Sequence, residues 1–365
     1  MRALRFVALF GLAAGAYLPA ASAAPPATVV VRAEVDAALM PPMIAFRLRD
    51  AGGRPLAPSG DDADVLGDLP VIGILDTGAS AHLLSHDTAA RYGVRAEPGA
   101  RWIETGMTGD HALGVTTPYS LALDSGSADD ATSRHPPPPV ILTSQRILVN
   151  DVPGTTEAML TSPGAIVDVI GMPALEHVLA ELRPGGGGLT PATVSLLGEG
   201  EDTAAMWWLP LRLVDFSRRH DPKNHGTPPT LASNPVLRDV HVVHNGRSVR
   251  GDWLVDTGSA VTILSTAAAH TLDLSDPAPL SAPVGGMSGT QKALQGWHVD
   301  RIELTTAGGG TITLTDAAVF VHDVSTTTDD GTHVTLDGIF GANLLDAFSR
   351  VVIDIPHSRL GVDPK

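Results

Sequence analysis

Two short segments of the chain carry the same chemistry. Gly73-Ile74-Leu75-Asp76-Thr77-Gly78-Ala79-Ser80 and Trp253-Leu254-Val255-Asp256-Thr257-Gly258-Ser259-Ala260 each run an apolar stretch into Asp-Thr-Gly. An apolar strand that ends this way sets a carboxylate at a tight turn leaving the core. The glycine permits the turn and lets backbone N–H groups approach the carboxylate. If the two loops meet on a pseudo-twofold axis, Asp76 and Asp256 lie within hydrogen-bonding distance and share one proton, because two adjacent carboxylates cannot both ionise easily. The charged member then acts as general base on a water, and the neutral member donates to a carbonyl oxygen as its carbon becomes tetrahedral. This hydrolyses an amide with no covalent intermediate and calls for no cofactor and no metal. Thr77 and Thr257 are expected to hydrogen-bond backbone groups near the pair and hold the two loops together.

A single Asp-Thr-Gly would carry little weight, since acidic turns are common. Asp124-Ser125-Gly126 is read as such a turn, because the repeat aligns it with the hairpin turn Thr306 to Gly310. The pair gains its weight from the segments downstream of each motif. Leu84-Ser85 and Leu264-Ser265 close an apolar stretch, and alanine-rich segments around Ala89-Ala90 and Ala267 to Ala269 read as short helices. Gly106-Met107-Thr108-Gly109 recurs as Gly286-Met287-Ser288-Gly289, and Val169-Ile170-Gly171 as Ile339-Phe340-Gly341. Helical patterns are expected after each of the last two, over Met172 to Leu182 and Ala342 to Phe348. Landmarks recurring in one order at nearly one spacing indicate a duplicated unit of about 160 residues, too long a period for a solenoid and suited to two lobes. His82 takes the place of Thr262 in the repeat and is expected to pack near its loop. A metal pair with His86 is not favoured, because the repeat puts His82 on a strand.

The elements that must position these residues are mostly strands. Thr28 to Val35, Met43 to Leu48, Val240 to Val243, Thr311 to Leu314 and Val351 to Ile355 are β-branched or alternating runs bounded by turn residues. Asn245-Gly246 marks a tight hairpin. Many short strands with few helices define an all-β class. Residues 57–67, 135–139, 184–188 and 217–233 are rich in Pro, Gly or polar residues and read as solvated loops. Trp102 and Trp297 lie near the Gly-Met segments, either lining a cleft or packed in the core.

The chain has 365 residues, 43% of them hydrophobic, a formal charge of −16 and no cysteine. The acidity argues against nucleic acid as a partner. The missing cysteines exclude disulfides, thiolate metal sites and a cysteine nucleophile. Arg2 and Arg5, the apolar run Phe6 to Leu18 and Ala21-Ser22-Ala23 stand in the order of a secretory signal peptide cleaved after Ala23. The expected protein is therefore exported, periplasmic or secreted, with no membrane-spanning segment after cleavage. Residues 24–200 form an N-terminal lobe and 201–365 a C-terminal lobe.

On these motifs the chain resembles the aspartic proteases, both the bilobal pepsin-like enzymes and the retropepsin-like group. The resemblance covers both halves, including an ending, Val351 to Ile355 followed by Arg359 to Val362, similar to the family's closing hairpin. It implies a bilobal acid-protease fold of two pseudo-symmetric β-barrel-like lobes with a few short helices. The implied activity is that of an endopeptidase acting on extended polypeptides, as a monomer that contains its own pseudo-dimer. It further implies that Gly106, Met107, Thr108 and Gly109, with Gly286, Met287, Ser288 and Gly289, are flaps that close over a peptide. These lack the tyrosine of a pepsin-like flap. In pepsin-like enzymes the residue at Ser259 hydrogen-bonds the catalytic Asp, whereas the first loop offers only Ala79. Fewer hydrogen bonds should leave Asp76 the less acidic partner and give a mildly acidic optimum. A different class remains open, a catalytically silent peptide- or glycan-binding protein on the same fold. Intact Asp76 and Asp256 argue against it.

Overall fold

A computed structural model describes residues 28–33, 41–59, 69–106, 109–124, 138–151, 168–176, 178–183, 193–197, 206–275, 277–284, 292–328 and 330–365. The leader-like N-terminus, Met107, Thr108 and residues 286–289 lie outside them.

Strand β1 (Thr28–Arg32) opens the described chain. The first lobe is one nine-stranded sheet. It is built from β2 (Met43–Arg49), β3 (Val71–Leu75), β4 (Leu83–Leu84), β5 (Ala96–Gly106), β6 (Gly109–Thr116), β7 (Tyr119–Leu123), β8 (Val140–Gln145), β9 (Leu148–Val149) and β10 (Val169–Ile170). The chain continues through β11 (Leu179–Arg183), β12 (Thr193–Leu197), β13 (Trp207–Val214), β14 (Asn234–His244), β15 (Arg247–Val255) and β16 (Ile263–Leu264). Then come β17 (Leu280–Val284), β18 (Lys292–Thr305), β19 (Thr311–Val321), β20 (Ser325–Thr327), β21 (His333–Thr335), β22 (Gly338–Phe340), β23 (Phe348–Asp354) and β24 (Arg359–Pro364). Apart from the β20–β21 pair, these later strands and β1 join one thirteen-stranded sheet. The fold is all-β and bilobal, as the sequence predicts.

The helices are short. α1 (His86–Arg91) and α2 (Thr266–Leu272) follow the two Asp-Thr-Gly loops at equivalent places, and Ser85 and Ser265 cap them by accepting from the Thr88 and Ala268 N–H groups. The helix expected over Met172 to Leu182 does not form. A single 3₁₀ turn at Met172–Ala174 gives way to β11, which pairs antiparallel with β12 on one side and β23 on the other. In the second lobe the helix is only α3 (Ala342–Leu345), after which Phe348 opens β23. In both places burial against sheet partners overrides a weak helical pattern. Asn245 and Gly246 turn β14 into β15 with φ of 48° and 76°, the left-handed pair a two-residue hairpin turn requires.

Two connections join the halves. β11, with β12 on its other edge, pairs with β23, which itself pairs with β24, so the first half of the chain extends the second half's sheet. β1 forms as the sequence indicates but lies parallel on β19, with Val31 opposite Leu314. One large cluster of buried side chains spans both halves, from Phe46, Leu75 and Leu121 to Trp253, Val255 and Phe348. Among the described residues no helix is long and apolar enough to cross a membrane.

Candidate active site

Each Asp-Thr-Gly loop leaves a buried strand and is clamped from behind by a short one. In the first lobe β10 runs parallel to β3 and antiparallel to β4. In the second, β22 does the same between β15 and β16. The bonds repeat as well. Asp76 N–H donates to Ile170 O at 3.0 Å and Asp256 N–H to Phe340 O at 3.1 Å, while Met172 and Ala342 donate to Ala79 O and Ser259 O at 2.9 and 2.8 Å. Behind each loop a glycine N–H meets the residue six positions after the aspartate. Gly171 donates to His82 Nδ1 at 3.1 Å and Gly341 to Thr262 Oγ1 at 3.2 Å. His82 is thus a buried, packed stand-in for a threonine. Burial holds its pKa down to about 4, which keeps it neutral and able to accept. His86 sits apart, beside Asp87.

The two loops grip each other. Thr77 Oγ1 donates to Val255 O at 2.6 Å and accepts from Thr257 N–H at 3.1 Å. Thr257 Oγ1 donates to Leu75 O at 2.5 Å and accepts from Thr77 N–H at 3.0 Å. Both threonines are fully buried. This brings the Asp76 and Asp256 carboxyls together at the junction of the loops, near enough for each to act on the other's acidity. Each glycine packs on the opposite carboxyl: a Cβ on Gly78 would lie 2.6 Å from the Asp256 carboxyl carbon, and one on Gly258 would overlap that of Asp76. Glycine is required at both by this approach, whatever the turn conformation.

Burial raises both acids above the ordinary carboxylate range, and Asp256 is raised further by the charge of Asp76. Gly78 N–H donates to Asp76 Oδ1 at 2.7 Å, with further backbone donation from Ala79 and Gly258. Ser259 contributes only its backbone N–H to Asp256 Oδ1, at 3.0 Å. Its hydroxyl turns away and donates to Val261 O at 2.8 Å. The pair titrates as a unit.

Gly106 and Gly109 face each other at the end of the β5–β6 hairpin, with Met107 and Thr108 between them. The second segment, Gly286 to Gly289, lies between Val284 and Lys292, which pair at the end of the β17–β18 hairpin. Trp102 is buried on the β5–β6 hairpin in a cluster that includes Ala81, Leu113 and Val169, with Ala79 of the catalytic loop packed against it. It is core to its hairpin. Trp297 is tied to Ser275 O.

Three features carry no signal in the sequence. Asn234 is buried between the lobes and donates to Thr77 O and Gly78 O, each at 3.0 Å, while Ser80 Oγ donates to its Oδ1 at 2.7 Å. Glu104, two residues beyond Trp102 and therefore on the same face of β5, accepts from Trp102 Nε1 at 3.1 Å. Burial pushes it up to about 8, and it lies within electrostatic reach of Asp76. Finally, residues 217–233 are a loop, exposed over 219–220, 222–223 and 225–228 as expected, but one fastened to the first lobe. They cross from the second lobe and run along the first-lobe hairpin, where Arg101 and His225 exchange backbone hydrogen bonds at 2.8 Å. A polar, Pro-rich stretch gives no periodic pattern for such contacts.

Residues 240–344 match the family model described as Aspartyl protease. That stretch contains the second Asp-Thr-Gly loop, its hairpins and Gly341. No curated protein matches the chain in sequence. Among solved structures, the crystal structure of aspartic proteinase from Irpex lacteus is similar, with a TM-score of 0.47 and 13% identity over 89% of this chain and 96% of that one.

Proposed function

We propose that the chain is an aspartic endopeptidase that cleaves extended polypeptides with Asp76 as base and Asp256 as acid. The observation that carries this reading is the pair of carboxyls in contact at the junction of two loops, unequal in their hydrogen bonds. Asp76, the better stabilised anion, takes a proton from a water whose oxygen adds to the substrate carbonyl carbon. Asp256 gives its proton to the carbonyl oxygen. The tetrahedral intermediate then collapses: the C–N bond breaks, the amine nitrogen leaves protonated, and the pair is left sharing one proton again. The substrate lies extended beneath the β5–β6 and β17–β18 hairpins, held as an added strand. The raised acidities support activity in mild rather than strong acid, because the pair must keep one proton. We also propose export, on the signal-like N-terminus.

The test is cleavage of a mixed peptide library between about pH 3 and 7, the range in which such a pair titrates, with wild type, Asp76→Asn and Asp256→Asn. Wild-type cleavage with both variants silent is the expected result. Cleavage by either variant, or a folded wild type that cuts nothing, overturns the mechanism.

A further inference from the structure

The crossing segment of the second lobe ends its run along the first lobe at Arg218. This side chain is one-tenth exposed, and its three nitrogens have different fates. Nη1 donates to Thr105 Oγ1 at 2.8 Å and to Asp110, facing residues on β5 and β6 one pair back from the hairpin end. Nη2 pairs with Asp221 of its own segment. Nε is buried with no hydrogen-bond partner among the described residues. The backbone at Arg218 is left-handed, with φ of 53°, a conformation that a non-glycine residue keeps only where its surroundings impose it. The surroundings here are Asn224, which donates from Nδ2 to Arg218 O at 2.8 Å and accepts through Oδ1 from Ile103 N–H at 2.8 Å. Thr230 and Ala232 fasten the rest of the segment to Arg146 and Ser80.

We propose that Arg218 is a positioning residue for catalysis: from the second lobe it latches the β5–β6 hairpin in place beside the Asp76 loop. The hairpin's edge strand β5 is bonded by backbone at Arg101 and its end is held by a buried guanidinium fork. The fork is stretched between carboxylates on both lobes, Asp110 and Asp221, with Thr105 between. The strand it holds carries, on the face opposite Thr105, Trp102, packed toward Ala79, and Glu104, within electrostatic reach of Asp76 and of Arg218 itself. The latch is also able to release. Its Nε is unsatisfied, its backbone is strained, and its first-lobe carboxylate Asp110 is two-fifths exposed, so that opening exchanges one strained arrangement for hydrated groups. Asp110, in turn, is held below the usual carboxylate range chiefly by Arg218.

The consequence for turnover rests on the proteolytic reading; the latch itself does not. The experiment is amide hydrogen exchange on full-length wild type, Arg218→Lys and Asp110→Asn, with kcat and KM on one cleaved peptide. Asp110→Asn serves as the variant that cannot be dismissed as misfolded, because its side chain is exposed. Both variants are expected to speed exchange in residues 101–106 and 109–114 by about tenfold or more, the factor worth one charge-assisted hydrogen bond. Exchange in β23 and β24 should stay as in wild type. KM should rise with kcat nearly unchanged, whereas a purely structural lesion would lower the active fraction and therefore kcat alone. Exchange in the hairpin within about twofold of wild type, a change well under one hydrogen bond, overturns the latch. So does equal acceleration of β23 and β24. If hairpin exchange responds as expected but wild type cleaves no peptide, the latch stands and the proteolytic reading falls.

Discussion

Replacing Thr77 by valine tests the grip between the catalytic loops. Valine keeps the shape of threonine, so no cavity opens and the change is confined to hydrogen bonding. The variant removes the 2.6 Å bond to Val255 O and strands the Thr257 N–H, whose partner at 3.1 Å was the lost hydroxyl. The stranded donor is fully buried, since Thr257 has no exposed surface. A hydrogen bond removed costs about 1 kcal/mol and a buried unsatisfied donor about 1–3 kcal/mol, so Thr77→Val should cost about 2–4 kcal/mol. Thr257→Val removes the other half of the grip, the bonds to Leu75 O and from Thr77 N–H, and should cost a similar amount. The double variant should cost less than the sum, because the loops have already separated after the first change. Urea unfolding gives these values directly, and Thr77→Ser, which keeps the hydroxyl, should stay near wild type. Peptide hydrolysis should fall with stability, since the grip sets the distance between the carboxyls. A Thr77→Val protein within about 0.5 kcal/mol of wild type, the scatter of neutral substitutions, and fully active would refute the argument.

Gly78→Ala should abolish hydrolysis while leaving the fold recognisable by circular dichroism, because the new methyl would sit 2.6 Å from the Asp256 carboxyl carbon and force the pair apart. Thermal stability should depend on pH in a way set by three groups. Glu104 is raised to about 8, so the folded state holds its proton more tightly and stability is gained as pH falls through about 8. Asp168, buried with Ser85 N–H and Thr88 Oγ1 on its oxygens and raised to about 6, adds a gain below that value. His82, lowered to about 4, acts in the opposite sense, losing stability as pH falls from about 6.5 to about 4, since the unfolded chain takes up the proton first. The melting temperature should therefore rise from pH 8 to about 6.5, pause where His82 offsets Glu104, and rise again below about 6, where Asp168 joins; Glu104→Gln should remove the first rise, and His82→Thr should remove the pause. A wild-type melting temperature that falls steadily from pH 8 to 6.5 would contradict these assignments.

The meeting of the two Asp-Thr-Gly loops is readable from sequence because its signal is local and doubled. Asp76 and Asp256 each follow an apolar strand, and Gly171 and Gly341 recur in the same order further on, with backbone contacts that admit no Cβ. The helix caps at Ser85 and Ser265 are equally local. The features that the residues do not announce depend on distant partners. The segment after Gly171 carries a mixed apolar pattern that reads as helix, and only β12 and β23, far along the chain, make it a strand. The side on which β1 pairs has no sequence signature at all. Which way the Ser259 hydroxyl points is likewise set by a backbone group, Val261 O, that the Asp-Thr-Gly motif does not specify. Arg218 and Asn234 stand in a stretch whose composition is that of an ordinary loop. Their importance comes from the groups that the other lobe presents to them.

The pairing of β1 with β19 bears on how the chain reaches this state. Thr315 bonds to Val31 across 284 positions of sequence, and β11 to β23 is another long closure. Contacts this remote must be bought with the entropy of large loops before they return any energy, and they slow folding accordingly. The first lobe's nine-stranded sheet needs no strand from the second half, but residues 28–32 have no strand to lie on until 311–315 exist, and β11 waits for β23. A chain interrupted before β23 would leave β11 and β13 each with an unpaired edge, of the kind that recruits other chains.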